Sequence, residues 1–170
     1  PGSQGYLGIC DMLFGYTSPS GRLPFCFPRK SGQVPLYYSN ILTGHDNYEG
    51  QFSKYTLRYI DTLNTPLYPF GFGLSYTDFE YSNLRISSDK LTKDGTITVS
   101  VDIENKGERS ESETVQLYIR GYGNSVRRRG KELKGFKKVL LDPNETKTVE
   151  FKLGFDELKI YSSRNRYEVE

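Results

Sequence analysis

Apolar and polar residues alternate with a period of two over residues 97–104. Ile97, Val99, Val101 and Ile103 fall on one side, and Thr98, Ser100, Asp102 and Glu104 on the other. That is the pattern of a strand with one buried face. Val115, Leu117 and Ile119 repeat it, as do Val149, Phe151 and Leu153. Turn residues separate the runs: Asn105-Lys106-Gly107, and Asp142-Pro143-Asn144 with its proline placed as in a type I turn. Several strands with turns between them and no helical period predict an antiparallel β-sandwich of the fibronectin or immunoglobulin kind. Ile97, Val99, Val101, Val115, Leu117, Ile119, Val149 and Phe151 are its expected core.

The chain before residue 80 has a different pattern. Tyr6, Ile9, Cys10 and Leu13 stand at i, i+3, i+4 and i+7, one face of a helix that Ser3 caps and Gly15 ends. A turn at Ser18-Pro19-Ser20-Gly21 leads into Arg22–Pro28, a short strand fenced by prolines. Residues 29–78 read as an irregular path with two extended pieces, Pro35–Tyr38 and Pro66–Phe70. So long a path without regular elements does not suit a free-standing compact domain. It suits a segment draped over a larger body.

Charge sharpens the division. The first 80 residues hold five basic and six acidic residues, and the other 90 hold eighteen and fifteen. The first part is therefore expected to be largely covered by other protein and the second to be solvated. A net charge of +2 is too small to point to nucleic acid or an anionic membrane. No run of about 18 apolar residues is present to span a bilayer, and Pro1-Gly2-Ser3-Gln4 does not open a signal peptide. Cys10 and Cys26 lack metal-ligand or redox spacing; two buried thiols are expected, with a disulfide as the alternative.

Candidate chemistry is sparse. Half of the fourteen tyrosines and ten phenylalanines lie between Tyr37 and Tyr81. They suit packing against a parent domain better than a sugar platform, and there is no tryptophan. His45, the single histidine, has no second imidazole to share a metal and reads as a solvated loop residue. Arg127-Arg128-Arg129 reads as a solvated loop rather than an anion site. Asp61, Glu111 and Glu113 read as exposed charges, since no spacing marks a catalytic pair. Gly71-Phe72-Gly73 lacks the third glycine, the lysine and the helix of a phosphate loop.

Three stretches, in order, resemble glycoside hydrolase family 3 on its β-glucosidase and β-xylosidase side. They are Asp11–Gly15 with Pro19–Pro24 and Phe27-Pro28-Arg29; Lys54-Tyr55 and Arg58-Tyr59 followed by Pro66–Tyr76; and Val115–Tyr118 with Lys131–Phe136. Arg129 stands where that family often has a proline, and Tyr6 where a small residue is usual. The resemblance implies an α+β chain. Residues 1–78 would be the end of an α/β-sandwich domain with its exit segment, and 79–170 a fibronectin type III-like antiparallel β-sandwich lacking its last strand. It also implies retaining hydrolysis of β-linked glucosides or xylosides by two carboxylates roughly 5 Å apart. In the family these carboxylates sit on an N-terminal barrel and upstream in the α/β-sandwich domain. Neither motif occurs here, so no catalytic residue, cofactor or metal is assigned, and the piece alone is expected to be inactive. The expected partners are the missing barrel, the rest of the α/β domain and, in the full enzyme, an oligosaccharide or β-glucoside. Tyr55, Arg58 and Tyr59, just before the Pro66–Gly71 run, are the candidates for a rim of the sugar site. The compartment stays open between cytoplasmic and secreted. The competing reading is a non-catalytic fibronectin-like binding or adhesion module, which has no reason to carry Lys54–Tyr76.

Overall fold

The computed structural model describes residues 2–41, 54–92, 94–123 and 125–169. It has a mainly irregular strap followed by a β-sandwich. The strap opens with α1 (Gly5–Leu13), whose N-cap is Gln4 rather than Ser3 and makes no side-chain capping bond. Gly15 ends the helix as expected. Its φ of 75° is left-handed, so the Tyr16 amide reaches back to the Asp11 carbonyl at 2.8 Å and the Gly15 amide to Met12 at 3.0 Å. No residue of α1 is buried; Leu13 is 77% exposed and Phe14 just beyond it 76%. Cys10 on the same helix is exposed and Cys26 half-buried, both as free thiols, so the expectation of two buried thiols fails. The reason is that the apolar face of α1 meets no cover among the described residues.

Arg22–Pro28 does not form a regular strand. Pro24 and Pro28 remove two backbone donors, and what remains is a loose antiparallel pairing with residues 67–72. The Leu23 amide donates to Phe72 at 2.9 Å, the Gly71 amide to Leu23 at 2.8 Å and the Phe27 amide to Tyr68 at 2.8 Å. At the cysteine between them, the Phe70 amide donates to Cys26 Sγ at 3.3 Å. Gln33, in a 3-10 turn at Ser31–Gln33, is almost wholly buried. Its side chain accepts from the Arg29 amide at 2.5 Å and donates to the Leu63 carbonyl at 2.8 Å, pinning the two legs of the strap together.

The sandwich has two main sheets. One has the order β1 (Phe79–Ile86), β2 (Ile97–Asn105), β5 (Thr146–Leu153); the other pairs β3 (Glu111–Ile119) with β4 (Glu132–Leu141). All pairings are antiparallel. After β5 come a single helical turn, α2 (Phe155–Leu158), and a two-stranded ribbon of β6 (Ile160–Tyr161) and β7 (Tyr167–Glu168). The expected Val115, Val149 and Phe151 form the buried cluster together with Ile103 and Leu141, which lay outside the expected core. Val99 joins the buried set, whereas Ile97, Val101, Leu117 and Ile119 are only half-buried. Close approach of the sheets needs Gly135, since a Cβ there would lie 2.7 Å from the Phe151 ring.

Both inter-sheet turns form at the expected residues. At Asp142–Glu145 the Glu145 amide donates to Asp142 at 2.9 Å, but Asn144 has φ 59°. A left-handed third residue makes this a type II turn rather than type I. On the outer face of the first sheet, a bulge in β1 between Ser82 and Arg85 aims Asn83 and Arg85 at Asp102.

Candidate functional site

The chemistry of this chain is concentrated where strap meets sandwich. Among the described residues β3 has β4 on one side only, and an uncovered edge is a liability. Side chains of β3 close it onto the strap. Thr114 Oγ1 donates to the Ser20 carbonyl at 2.7 Å and Gln116 Nε2 to the Gly71 carbonyl at 3.0 Å. Ser18 Oγ donates to Glu111 Oε2 at 2.6 Å and accepts from the Tyr76 amide at 3.1 Å. Arg22 pairs with Glu113 Oε2, whose other oxygen accepts from the Tyr81 hydroxyl at 2.7 Å. Burial first, then this bond to a carboxylate, hold the Tyr81 phenol well above its usual range.

Two expectations are overturned here. Glu111 and Glu113, read as exposed charges, are 4% and 6% exposed. They occupy the same side of β3 as buried Val115, and the strap covers that end of the strand. The Arg127–Arg129 loop is not simply solvated either. Arg128 pairs with Glu132 at 3.2 Å, and Arg129 donates to Ser39 Oγ at 3.3 Å. Ile41 bridges Arg129, and the Gly130 amide donates to the Asn40 carbonyl at 2.8 Å, making a second clamp between the two parts.

Several rings of the strap meet each other. Tyr38 stacks on Phe70 with centroids 4.1 Å apart, Phe70 meets Tyr118 of β3 edge-on at 6.5 Å, and Tyr68 packs on Phe72 at 4.9 Å. These contacts pack the strap on itself and on β3. Two clefts flank the seam. A cleft of about 920 Å³ lies between α1 and the strap ladder, walled by Met12, Leu23, Phe27, Phe72 and Leu74. One of about 310 Å³ lies between the strap and the β3–β4 connection.

Tyr55, Arg58 and Tyr59 are each exposed, within residues 54–66, and line neither cleft. Tyr55 is 75% exposed with the Lys54 ammonium 5.7 Å from its ring. The Tyr59 amide donates to Asn64 Oδ1 at 3.0 Å, while Asn64 Nδ2 donates to Leu57 at 2.7 Å. Asp61 is an exposed charge, as expected, paired with Lys30 at 2.7 Å, which draws its carboxyl below the usual range. His45 lies outside the described residues. Among the described residues no group of three or more His, Cys, Asp or Glu is placed to hold a metal, and no helix is long and apolar enough to cross a membrane. Arg22 and Tyr81 were not singled out from the sequence. The signal was there in β3, where two carboxylates interrupt an otherwise apolar face and so require partners.

Residues 1–76 match the glycosyl hydrolase family 3 C-terminal domain, and residues 113–170 the fibronectin type III-like domain. The chain belongs to glycoside hydrolase family 3 and matches the C-terminal portion of its members. It is 44% identical over 169 residues to the periplasmic β-glucosidase of Salmonella typhimurium, covering 99% of this chain and 22% of that protein. A β-xylosidase of Formosa agariphila is 45% identical over 152 residues, covering 89% of this chain and 20% of its own length. A crystal structure of a β-glucosidase from Listeria innocua superposes with a TM-score of 0.90 at 35% identity, over all of this chain and 24% of that one. The chain thus spans about a fifth of the length of the curated relatives it matches.

Proposed function

We propose that this chain is the C-terminal portion of a retaining β-glycosidase acting on β-linked glucosides or xylosides, in which it supplies architecture rather than catalytic carboxylates. Residues 1–78 complete an α/β domain and 79–170 form the fibronectin-like domain that buttresses it. The observation that carries this reading is the fate of the buried carboxylates. Glu111 is bonded to Ser18, and Glu113 is held by Arg22 and Tyr81. A carboxylate fixed by an arginine and a phenol is committed to structure; it is not free to attack an anomeric carbon or to move a proton on and off a leaving oxygen. The relatives' names, β-glucosidase and β-xylosidase, supply the substrate class. Tyr55, Arg58 and Tyr59, each exposed, are the residues of this portion that would reach a sugar held by the rest of the enzyme.

The test is a chimera in which residues 1–170 replace the matching fifth of the Salmonella typhimurium relative. The chimera is expected to hydrolyse p-nitrophenyl β-glucoside or β-xyloside, and the chain by itself to show no turnover above buffer. Turnover by the chain alone, or a folded but inert chimera, overturns the proposal.

A further inference from the structure

The 310 Å³ cleft beside the second clamp has a chemistry of its own. Its strap wall holds Tyr37, Tyr38, Asn40 and Thr65; its sandwich wall holds Arg120 and Lys131. Among the described residues no Asp or Glu lines it. Neither cation has an ion-pair partner among the described residues, and neighbouring Glu132 is taken by Arg128 and Lys134. Both cations are held in place by rings: the Arg120 guanidinium lies 4.8 Å from the Tyr122 ring and the Lys131 ammonium 5.2 Å from that of Tyr118. Both side chains line this cleft, and an anion bound between them would offset their mutual repulsion. Across from them, Tyr37 is 65% exposed, and Tyr38 is fixed by its stack on Phe70. Such a cleft offers a ring face for an apolar surface, an amide and a hydroxyl for hydroxyl groups, and two cations for one carboxylate.

We propose that this cleft binds a sugar acid, a pyranose laid against Tyr37 with its carboxylate directed to Arg120 and Lys131. The site is then an accessory one that steers the enzyme toward glycans bearing uronic acid units. The inference rests on the carbohydrate-directed reading above, but it is measured by binding without turnover, so either can fail without the other.

The experiment is calorimetric titration of the 170-residue chain with methyl β-D-glucuronide, methyl β-D-glucoside, L-glutamate and inorganic phosphate. The glucuronide is expected to bind roughly tenfold tighter than the glucoside, the worth of one charge-assisted hydrogen bond. Arg120→Gln with Lys131→Gln should abolish that preference, and Tyr37→Ala should weaken both sugars. All three positions are exposed, so the variants keep the core, and circular dichroism verifies this. Equal binding of glucoside and glucuronide, or a preference that survives the double substitution, overturns the proposal. Glutamate or phosphate binding as tightly as the glucuronide also overturns it, since the cleft would then recognise an anion and not a sugar.

Discussion

The guanidinium of Arg22 is paired with the carboxylate of Glu113, 91 positions further along the chain, and only 13% and 8% of the two side chains is exposed. Neither charge has water enough to stand alone. Glu113→Ala should therefore destabilise the chain by about 3 kcal/mol in urea unfolding, because it strands a buried arginine. Replacing both partners, as Arg22→Met with Glu113→Leu, should cost less than the single change, since no charge is then left buried. If Glu113→Ala melts like the parent, the pair does not join strap to sandwich.

Asn105 is fully buried and is bonded on every side. Its Nδ2 donates to the carbonyls of Arg109 at 2.7 Å and Leu141 at 3.1 Å; its Oδ1 accepts from Thr77 Oγ1 at 2.7 Å and the Gly107 amide at 3.0 Å. The strap's end, the β2–β3 turn and the end of β4 thus meet at one amide. Asn105→Ala leaves several polar groups without partners, so a loss of about 2–4 kcal/mol is expected in the same assay. A loss under about 0.5 kcal/mol, the scale of an ordinary surface change, contradicts the role.

The alternating runs made the sandwich legible, because a strand with one buried face writes its burial into every second residue. Glu113 shows where that stops. It read as an exposed charge and is buried, because its partners come from Arg22 and Tyr81, and no local pattern encodes a contact across 91 residues. The same holds for Arg129, whose partner Ser39 is 90 positions away. Beyond α1, whose period and Gly15 stop were readable, the strap was legible only as the absence of a pattern. Its bonds run between prolines and glycines, at Leu23 with Phe72 and Phe27 with Tyr68, where side-chain period carries no information. The paired cations Arg120 and Lys131 escaped notice because their shared cleft exists only once the strap is in place.

Asp102 accepts from Arg85 at both carboxylate oxygens, at 2.7 and 3.0 Å, and also from Thr148 at 2.6 Å and Asn83 at 3.0 Å. The Arg85 bonds first, then those of Thr148 and Asn83, hold its carboxyl far below the usual carboxylate range. A group whose folded pKa is depressed favours folding above its unfolded value, about 3.9, and loses that contribution as pH falls through the folded pKa. Thermal midpoints measured from pH 6 downward should therefore fall less steeply below about pH 4 in Asp102→Asn than in the parent. Parallel curves for the two proteins would remove Asp102 from the acid response.

The apolar face of α1 is uncovered among the described residues. Ile9, Leu13 and Phe14 are 44%, 77% and 76% exposed, so in the 170-residue chain they bury little. Leu13→Ser should then shift its stability by no more than about 0.5 kcal/mol, as surface substitutions do. In the proposed enzyme the upstream part of the α/β domain packs on this helix, and the same leucine becomes a core residue. Removing a buried leucine side chain there costs about 2–5 kcal/mol. Thermal unfolding of Leu13→Ser in the isolated chain and in the chimera separates the two contexts. A large loss in the chimera with little change in the isolated chain is the expected result. Equal small effects in both would mean that nothing covers α1, and would return the strap to the role of a free surface.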